Sequence, residues 1–403
     1  LQEQAFPSRR DEDWKYSGAL IGRMLEANYH TAKGADFSAA DLASLDLPGM
    51  DAVALVFVNG ILREDLSQLD DLPTGLRVER VAHAIENEQT AAWLKDLSAH
   101  KGGTQANAFL PLNQAFAANG ILIVAQKNAV VDTPVHCIYI NVAEGEAHFS
   151  NPQLFIQTNP NSELTVVETH LSSEPDLPYF TNAASWVDVA ANSHLHHYRF
   201  QLESQAALHI NNIVSRQDRT SEYSSYGLDL GGKAVRNNLS VEHLGPGLTT
   251  NMYGIYLGAG QQQIDNQTFL DHAVPHCQSN ELYKGIVTDY ARGVFNGKVL
   301  VRPDAQKTNA FQQNSSLVLS QHAAIDAKPQ LEIFADDVRC SHGATIGQLD
   351  ELSVFYLRSR GISEASARRM LQEAFLGEVL EHFSHTVLAE WAQARINAKL
   401  ARA

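Results

Sequence analysis

Residues 296–316 read NGKVLVRPDAQKTNAFQQNSS. A short apolar run, Val299-Leu300-Val301, ends at a Pro-Asp turn, and a second strand-like run follows in which Asn, Gln and Ser take many of the positions. Proline and aspartate punctuate chains in this way because one fixes φ and the other bonds its own backbone. A strand rich in amides suits a solenoid of stacked strands, where inward Asn and Gln side chains can stack from rung to rung.

The same texture extends from about residue 109 to 345. Runs such as ILIVA (121–125), VHCIYI (135–140), LTVVET (164–169), ALHINNIV (207–214), GIYLG (254–258), SLVLS (316–320) and LEIFA (331–335) recur between Gly, Asn, Asp and Ser turns. More than 200 residues of short strands with almost no helical periodicity fit a sandwich, a barrel or a solenoid. The amide-rich stretches favour the solenoid, although no clean repeat period is visible. The expected fold is therefore mainly β, a parallel β-helix core over 109–348. A mixed, partly helical region (1–108) precedes it and a helical segment (349–403) follows.

Within the first region, ALVFVNGILRED (54–65) predicts a hairpin, because Asn59-Gly60 supplies the positive φ of a type I′ turn. Residues 77–100 read as helical around Val81, Ala84 and Ile85 and lead into Gly102-Gly103. Trp14 and Tyr16, two aromatics in a charged stretch, are expected to anchor the N-terminal arm on the body. In the last region Asp350 can cap a helix whose apolar stripe is Leu352, Phe355 and Tyr356, with Gly361 as its stop. Ser363 can cap the next, carrying Met370, Leu371, Ala374 and Phe375, and Val379, Leu380, Phe383, Val387 and Trp391 continue an apolar face. About 50 residues of helix are too few for a confident independent core, so this tail should pack on the β body or on a partner.

The chain has 403 residues, 46 acidic and 30 basic, for a net charge of -16. So negative a surface repels phosphate backbones and argues against nucleic acid. Three scattered cysteines, Cys137, Cys277 and Cys340, make no disulfide framework and suit a reducing compartment such as the cytoplasm. The N-terminus, which begins without Met and so suggests missing residues, lacks a signal-peptide pattern, and no run of about 18 apolar residues could span a membrane.

The densest candidate chemistry is DDVRCSHGATIGQLD (336–350). If this segment is extended, Cys340 and His342 point to one side, their backbones roughly 6.6 Å apart at about 3.3 Å per residue. Metal ligands lie about 2.0–2.3 Å from the ion, so the pair converges only by leaning and cannot complete a four-coordinate shell alone. By spacing alone a structural role outweighs a metal role, and any real site would borrow ligands from elsewhere in the chain or from another subunit. His194 and His196 share one strand face and His197 the other, which reads more readily as surface or rung-stacking histidines than as a metal site. His272, His276 and Cys277 form a loose N/S cluster at a proline turn, suggestive but unspecific. Hydrolase and phosphate-loop motifs are absent, so the chain has no visible means of binding ATP. Asp265, Asp271 and Asp289 would be the carboxylates of a carbohydrate-active β-helix lyase or hydrolase, the alternative reading. A self-contained metalloenzyme built on His194, His196 and the 272–277 cluster is a third.

Several stretches, in order, resemble the SufD family of iron–sulfur cluster assembly proteins: RRDEDWKYS (9–17), LYKGIVTDYARGVFNGKVLV (282–301), AQKTNAFQQNSSLVLS (305–320) and ADDVRCSHGATIGQLDELSVFYLRSRGIS (335–363). The resemblance implies an N-terminal helical region, a right-handed parallel β-helix and a C-terminal helical domain. It implies a non-enzymatic scaffold that pairs with its paralogue SufB and binds the ABC-type ATPase SufC through the C-terminal helices, with ATP hydrolysis in SufC. SufD-like proteins are associated with iron acquisition, while the cluster is built on SufB. The B-type protein carries a cluster-building cysteine where this chain has Asn314, and an amide cannot replace a thiolate, so the D-type assignment is preferred. His342 would lie at the SufB interface facing that cysteine, with Cys340 as an accessory thiol. No cofactor is expected to bind stably to the isolated chain, only transient iron or a nascent cluster at the interface. Homodimerisation is credible when the chain is alone. Phe355 and Tyr356, with Glu373 and Glu378 on the polar rim, are the ATPase-docking candidates. For the aromatics Phe355, Tyr356, Phe375 and Phe383, intramolecular core is the stronger expectation.

Overall fold

A computed structural model describes residues 6–402 apart from 9, 33–34, 101, 103–107 and 117–119, so Arg9 and Gly103 lie outside the described residues. From Glu163 onward the strands alternate strictly between two sheets, and each pairs in parallel with the strand two places along the chain. One sheet runs Tyr179–Val189, Leu208–Gln217, Ala234–His243, Gln263–His272, Arg292–Val301 and Ala324–Ile333. The other runs Glu163–Ser172, His194–Gln201, Glu222–Asp229, Thr249–Gly258, Gln278–Val287, Asn309–Val318 and Arg339–Gly347. This is a parallel β-solenoid flanked by helices, as the texture and the resemblance led us to expect.

The register explains why no repeat is visible in the sequence. One rung advances 26 residues, from Leu208 to Ala234, and another 32, from Arg292 to Ala324. The strand length stays near ten residues while the turns absorb the difference. One corner is nevertheless regular. Two residues before successive strands of the second sheet stand Asn161, Asn192, Thr220, Gly247, His276 and Lys307, all with φ between 54° and 74°. Asparagine visits this left-handed region readily, and its amide also bridges rungs: Asn192 Nδ2 donates to Asn161 Oδ1, and Asn161 Nδ2 to Asn128 Oδ1, each at 2.8 Å. Inward amides stack as well, with Asn237 Nδ2 2.9 Å from Asn266 Oδ1.

The N-terminal end of the solenoid is closed. Val53–Val58 and Ile61–Leu62 form the predicted hairpin, with Asn59 and Gly60 at φ 52° and 79°. Val53–Val58 also pairs in parallel with Val135–Asn141, so the sheets reach back into the first region. Leu76–Arg80, where the sequence reading placed the start of a helix, is a strand antiparallel to Ile121–Ala125; helices follow only at Val81–Ala84 and Glu88–Ala99. Burial of Leu76 against the solenoid core wins over local helix propensity there.

Trp14 anchors the N-terminal arm as expected. It is buried, stacks 4.2 Å from the Arg236 guanidinium, and Arg236 Nη1 donates to the neighbouring Asp13 carbonyl at 2.6 Å. Gln263 Nε2 donates to the Tyr16 carbonyl at 2.7 Å.

The C-terminal helices, Glu351–Ser359, Glu364–Leu380 and Thr386–Leu400, lie beside the second sheet. Leu376, Val379, Phe383, Leu388, Trp391 and Ile396 pack on its outward Tyr198, Phe200, Tyr226 and Ile255. Asp350 and Ser363 cap their helices as predicted, through hydrogen bonds to Ser353 N and Ser366 N. The first helix, however, is turned over relative to expectation. Val354 is its buried residue, whereas Leu352, Phe355 and Tyr356 are 77%, 68% and 58% exposed. The short helix packs mainly on Glu364–Leu380, so one small residue suffices on its inner side. Among the described residues no helix is long and apolar enough to cross a membrane.

Candidate functional site at the open end of the solenoid

The last strand of each sheet, Ala324–Ile333 and Arg339–Gly347, is paired on one side only. A free edge of this kind presents a row of unpaired N–H and C=O groups to another chain. The two edges differ in protection. Ala324–Ile333 carries Pro329, which has no N–H to offer, and charges tied to its neighbours: Asp326 to Arg292 at 2.6 Å and Glu332 to Lys298 at 2.8 Å. Arg339–Gly347 reads RCSHGATIG, with one charge at its very start. Arg339 N–H bonds inward to Thr308 O at 2.8 Å, so by alternation the backbone groups of Cys340, His342, Ala344 and Ile346 face the free edge.

Those residues also continue the interior columns. Cys340 stands opposite Ala310, His342 opposite Gln312, and Ala344 opposite Asn314. Cys340 is half-buried against the core and His342 is exposed. One rung inward, Gln312 Nε2 donates to Glu281 Oε2 at 2.7 Å, and Thr268 Oγ1 donates to Glu281 Oε1 at 2.6 Å. Burial pushes the Glu281 carboxyl up to about 7, against these two hydrogen bonds. Burial likewise raises the Cys340 thiol, which therefore remains protonated at neutral pH unless a cation displaces the proton. Asn314 is buried, its Nδ2 3.3 Å from the Tyr283 carbonyl.

The other sequence candidates separate clearly. His197 is an interior residue, 2.7 Å from Glu168 Oε1, while His194 is exposed on the opposite face, 3.8 Å from Glu163. His276 occupies the left-handed corner position and points outward; His272 and Cys277 are buried together, and His243 from the preceding rung stands where His276 was expected. Asp265 is bound to Arg236 at 2.7 Å, Asp271 to Arg302, and Asp289 accepts Gly260 N–H at a turn. Each carboxylate is committed to a structural partner, which disfavours the carbohydrate-active reading. Phe375 and Phe383 pack against the second sheet as expected of core, but Phe355 and Tyr356 do not. Glu373 lies 3.9 Å from Arg369, and Glu378 pairs with the buried Lys284 of the solenoid.

Two family models match the chain in succession: the SufBD protein N-terminal region over residues 1–137, and the SufBD core domain of SUF system FeS cluster assembly over 139–375. The chain belongs to the SufBD family. It is 32% identical to the iron–sulfur cluster assembly protein SufD of Escherichia coli over 99% of this chain and 90% of that one. It is 34% identical to an iron–sulfur cluster assembly SufBD family protein of Synechocystis, over 93% and 83%. A chloroplastic protein of Arabidopsis thaliana, ABCI7, is 30% identical over 99% and 84%. The resemblance to the SufD branch thus spans the whole SufBD family chain, beyond the motifs that first suggested it. What sequence reasoning missed at the open end is the Glu281–Gln312 pair behind His342. Only the rung register, 31 residues from Glu281 to Gln312 and 30 from Gln312 to His342, brings the three into one column.

Proposed function

We propose that this chain is a non-enzymatic assembly subunit of the SUF machinery, pairing through the open solenoid end with a B-type paralogue and carrying an ABC-type ATPase on its C-terminal helices. The observation that carries the reading is the last rung. A nearly uncharged free edge holds Cys340 and His342 on the interior columns, where a second solenoid adding its own edge strand would enclose them. Iron or a nascent cluster is the cargo, held transiently. His342 offers an imidazole lone pair, Cys340 a thiolate once a cation displaces its proton, and the partner supplies the rest of the shell, including the thiolate that Asn314 cannot provide. The same edge would allow a homodimer when the partner is absent.

The exposed Leu352, Phe355, Tyr356 and Met370 form the apolar centre of the ATPase surface, with Glu373 and Glu378 at its rim. ATP hydrolysis belongs to that partner, and the setting is the cytoplasm. Co-expression with B- and C-type subunits tests the scheme. Ala344→Pro, which removes one free-edge N–H and no ladder bond, should release the B-type subunit. Phe355→Ser with Tyr356→Ser should release the ATPase alone. His342→Ala should keep the complex but slow cluster formation, and cluster formation at the parental rate in that variant would overturn the assignment.

A further inference from the structure

Where strands of the first sheet turn toward the second, Ala234–His243 and Gln263–His272 end in two interior histidines, one above the other. Their rings meet edge to face at 4.4 Å between centroids, and both side chains are fully buried. Each is held the same way. His243 Nε2 lies 2.8 Å from Thr250 Oγ1, and His272 Nε2 lies 2.9 Å from Ser279 Oγ, in both cases a hydroxyl seven residues further on. With Nε2 so engaged, both Nδ1 atoms are buried with no hydrogen-bond partner among the described residues. Orphaned buried nitrogens are costly, and two of them side by side ask for a common occupant. Beside them is the buried Cys277 thiol, which faces the carbonyls of Gly245 at 3.8 Å and Pro275 at 3.5 Å and the backbone N–H groups of Gly247 and Leu248.

We propose that His243, His272 and Cys277 form an intramolecular site for a soft d10 cation, univalent copper in preference to zinc. One ligand atom from each of the three lies within 4.8 Å of the other two. A three-coordinate shell with bonds of about 2.0–2.3 Å spaces its donors about 3.5–4.0 Å apart, so the site closes with shifts below about one ångström. Two imidazoles and a thiolate are a soft donor set. The Thr250 and Ser279 hydroxyls play the orienting part that second partners play for ligating histidines. Burial keeps His272 neutral, its pKa brought down to about 3, and His243 is likewise held well below the ordinary value, so neither ring must lose a proton to bind. Charge selects the ion. A thiolate with univalent copper is neutral, whereas with zinc it leaves one net positive charge in a lumen corner where Glu242 and Asp271 point to the other strand face and are paired with His100 and Arg302. Binding replaces the Cys277 S–H bond by a sulfur–copper bond and releases one proton to solvent.

This site is independent of the role proposed for Cys340, and the test keeps them apart. The full chain carrying Cys340→Ser is titrated anaerobically with univalent copper against a chromophoric bicinchoninate competitor. One equivalent of copper should leave the competitor, with one proton released per copper. Adding Cys277→Ala, or separately His272→Gln, should weaken binding by about 100-fold or more, with circular dichroism checking that each variant is folded. No copper uptake, or uptake unchanged in both variants, would overturn the site; zinc bound more tightly than copper would overturn the choice of ion.

Discussion

His342 pairs in register with Gln312, and it is the first exposed member of an interior column whose preceding members, His197, Ser225, Met252, Glu281 and Gln312, are all buried. The lumen thus reaches solvent at this histidine, and the nearest titrating group behind it is Glu281. Because the folded carboxyl titrates near 7 and an unperturbed one near 4.5, the native state holds the extra proton between those values. Stability should therefore fall as pH rises through that window and level off above it, by roughly 3 kcal/mol at ~1.4 kcal/mol per pH unit. Glu281→Gln abolishes this slope. Its urea midpoint should match the parent near pH 4.5 and exceed it at pH 8; an identical pH profile in the two proteins would refute the assignment.

His342→Ala removes an exposed side chain that makes no hydrogen bond among the described residues. Its thermal midpoint should stay within the change expected of a surface substitution, about 0.5 kcal/mol. A large loss of stability would mean that the histidine is structural after all.

Two tyrosines lock neighbouring rungs. Tyr283 lies over Gly254, its register partner, and Tyr256 lies over Gly285, so that a Cβ at either glycine would fall inside a ring. Gly285→Ala should cost about 1–3 kcal/mol through overpacking, measured by denaturant unfolding. Gly343→Ala on the last rung, where a Cβ meets nothing, is the control and should be near neutral.

Arg199 and Asp229 are a buried pair at 2.7 Å, with Asn237 Nδ2 completing the carboxylate at 2.9 Å. Asp229→Ala strands a buried guanidinium and should destabilise by about 3–5 kcal/mol. Replacing both, as Arg199→Met with Asp229→Leu, should recover most of that loss in the same unfolding assay.

The solenoid was legible because its cause is local: strand-length runs, amide-rich faces and turn residues are written in each rung. Its period was not, because the turns between Leu208 and Ala234 and between Arg292 and Ala324 differ by six residues in the step they produce. Without the period, column neighbours could not be found, and so Glu281, Gln312 and His243 were invisible beside His342 and Cys277. The helix Glu351–Ser359 was placed correctly by its cap but faced wrongly. An apolar stripe at helical spacing says that something covers it, and cannot say whether the cover is the same chain.

The two ends of the solenoid are not equivalent. At the first, the edge strands run antiparallel to the rest; Ile61–Leu62 is two residues long, and Leu76–Arg80 carries Arg77 paired with Glu79 and Arg80 with Glu64. Short and charged edges of that kind resist extension. At the second end the Arg339–Gly347 strand stops with its outer edge bare. A body with one sealed and one adhesive end can join another like itself only mouth to mouth, and the joined object has two sealed ends. Under the pairing proposed above, that geometry favours a closed pair over a fibre.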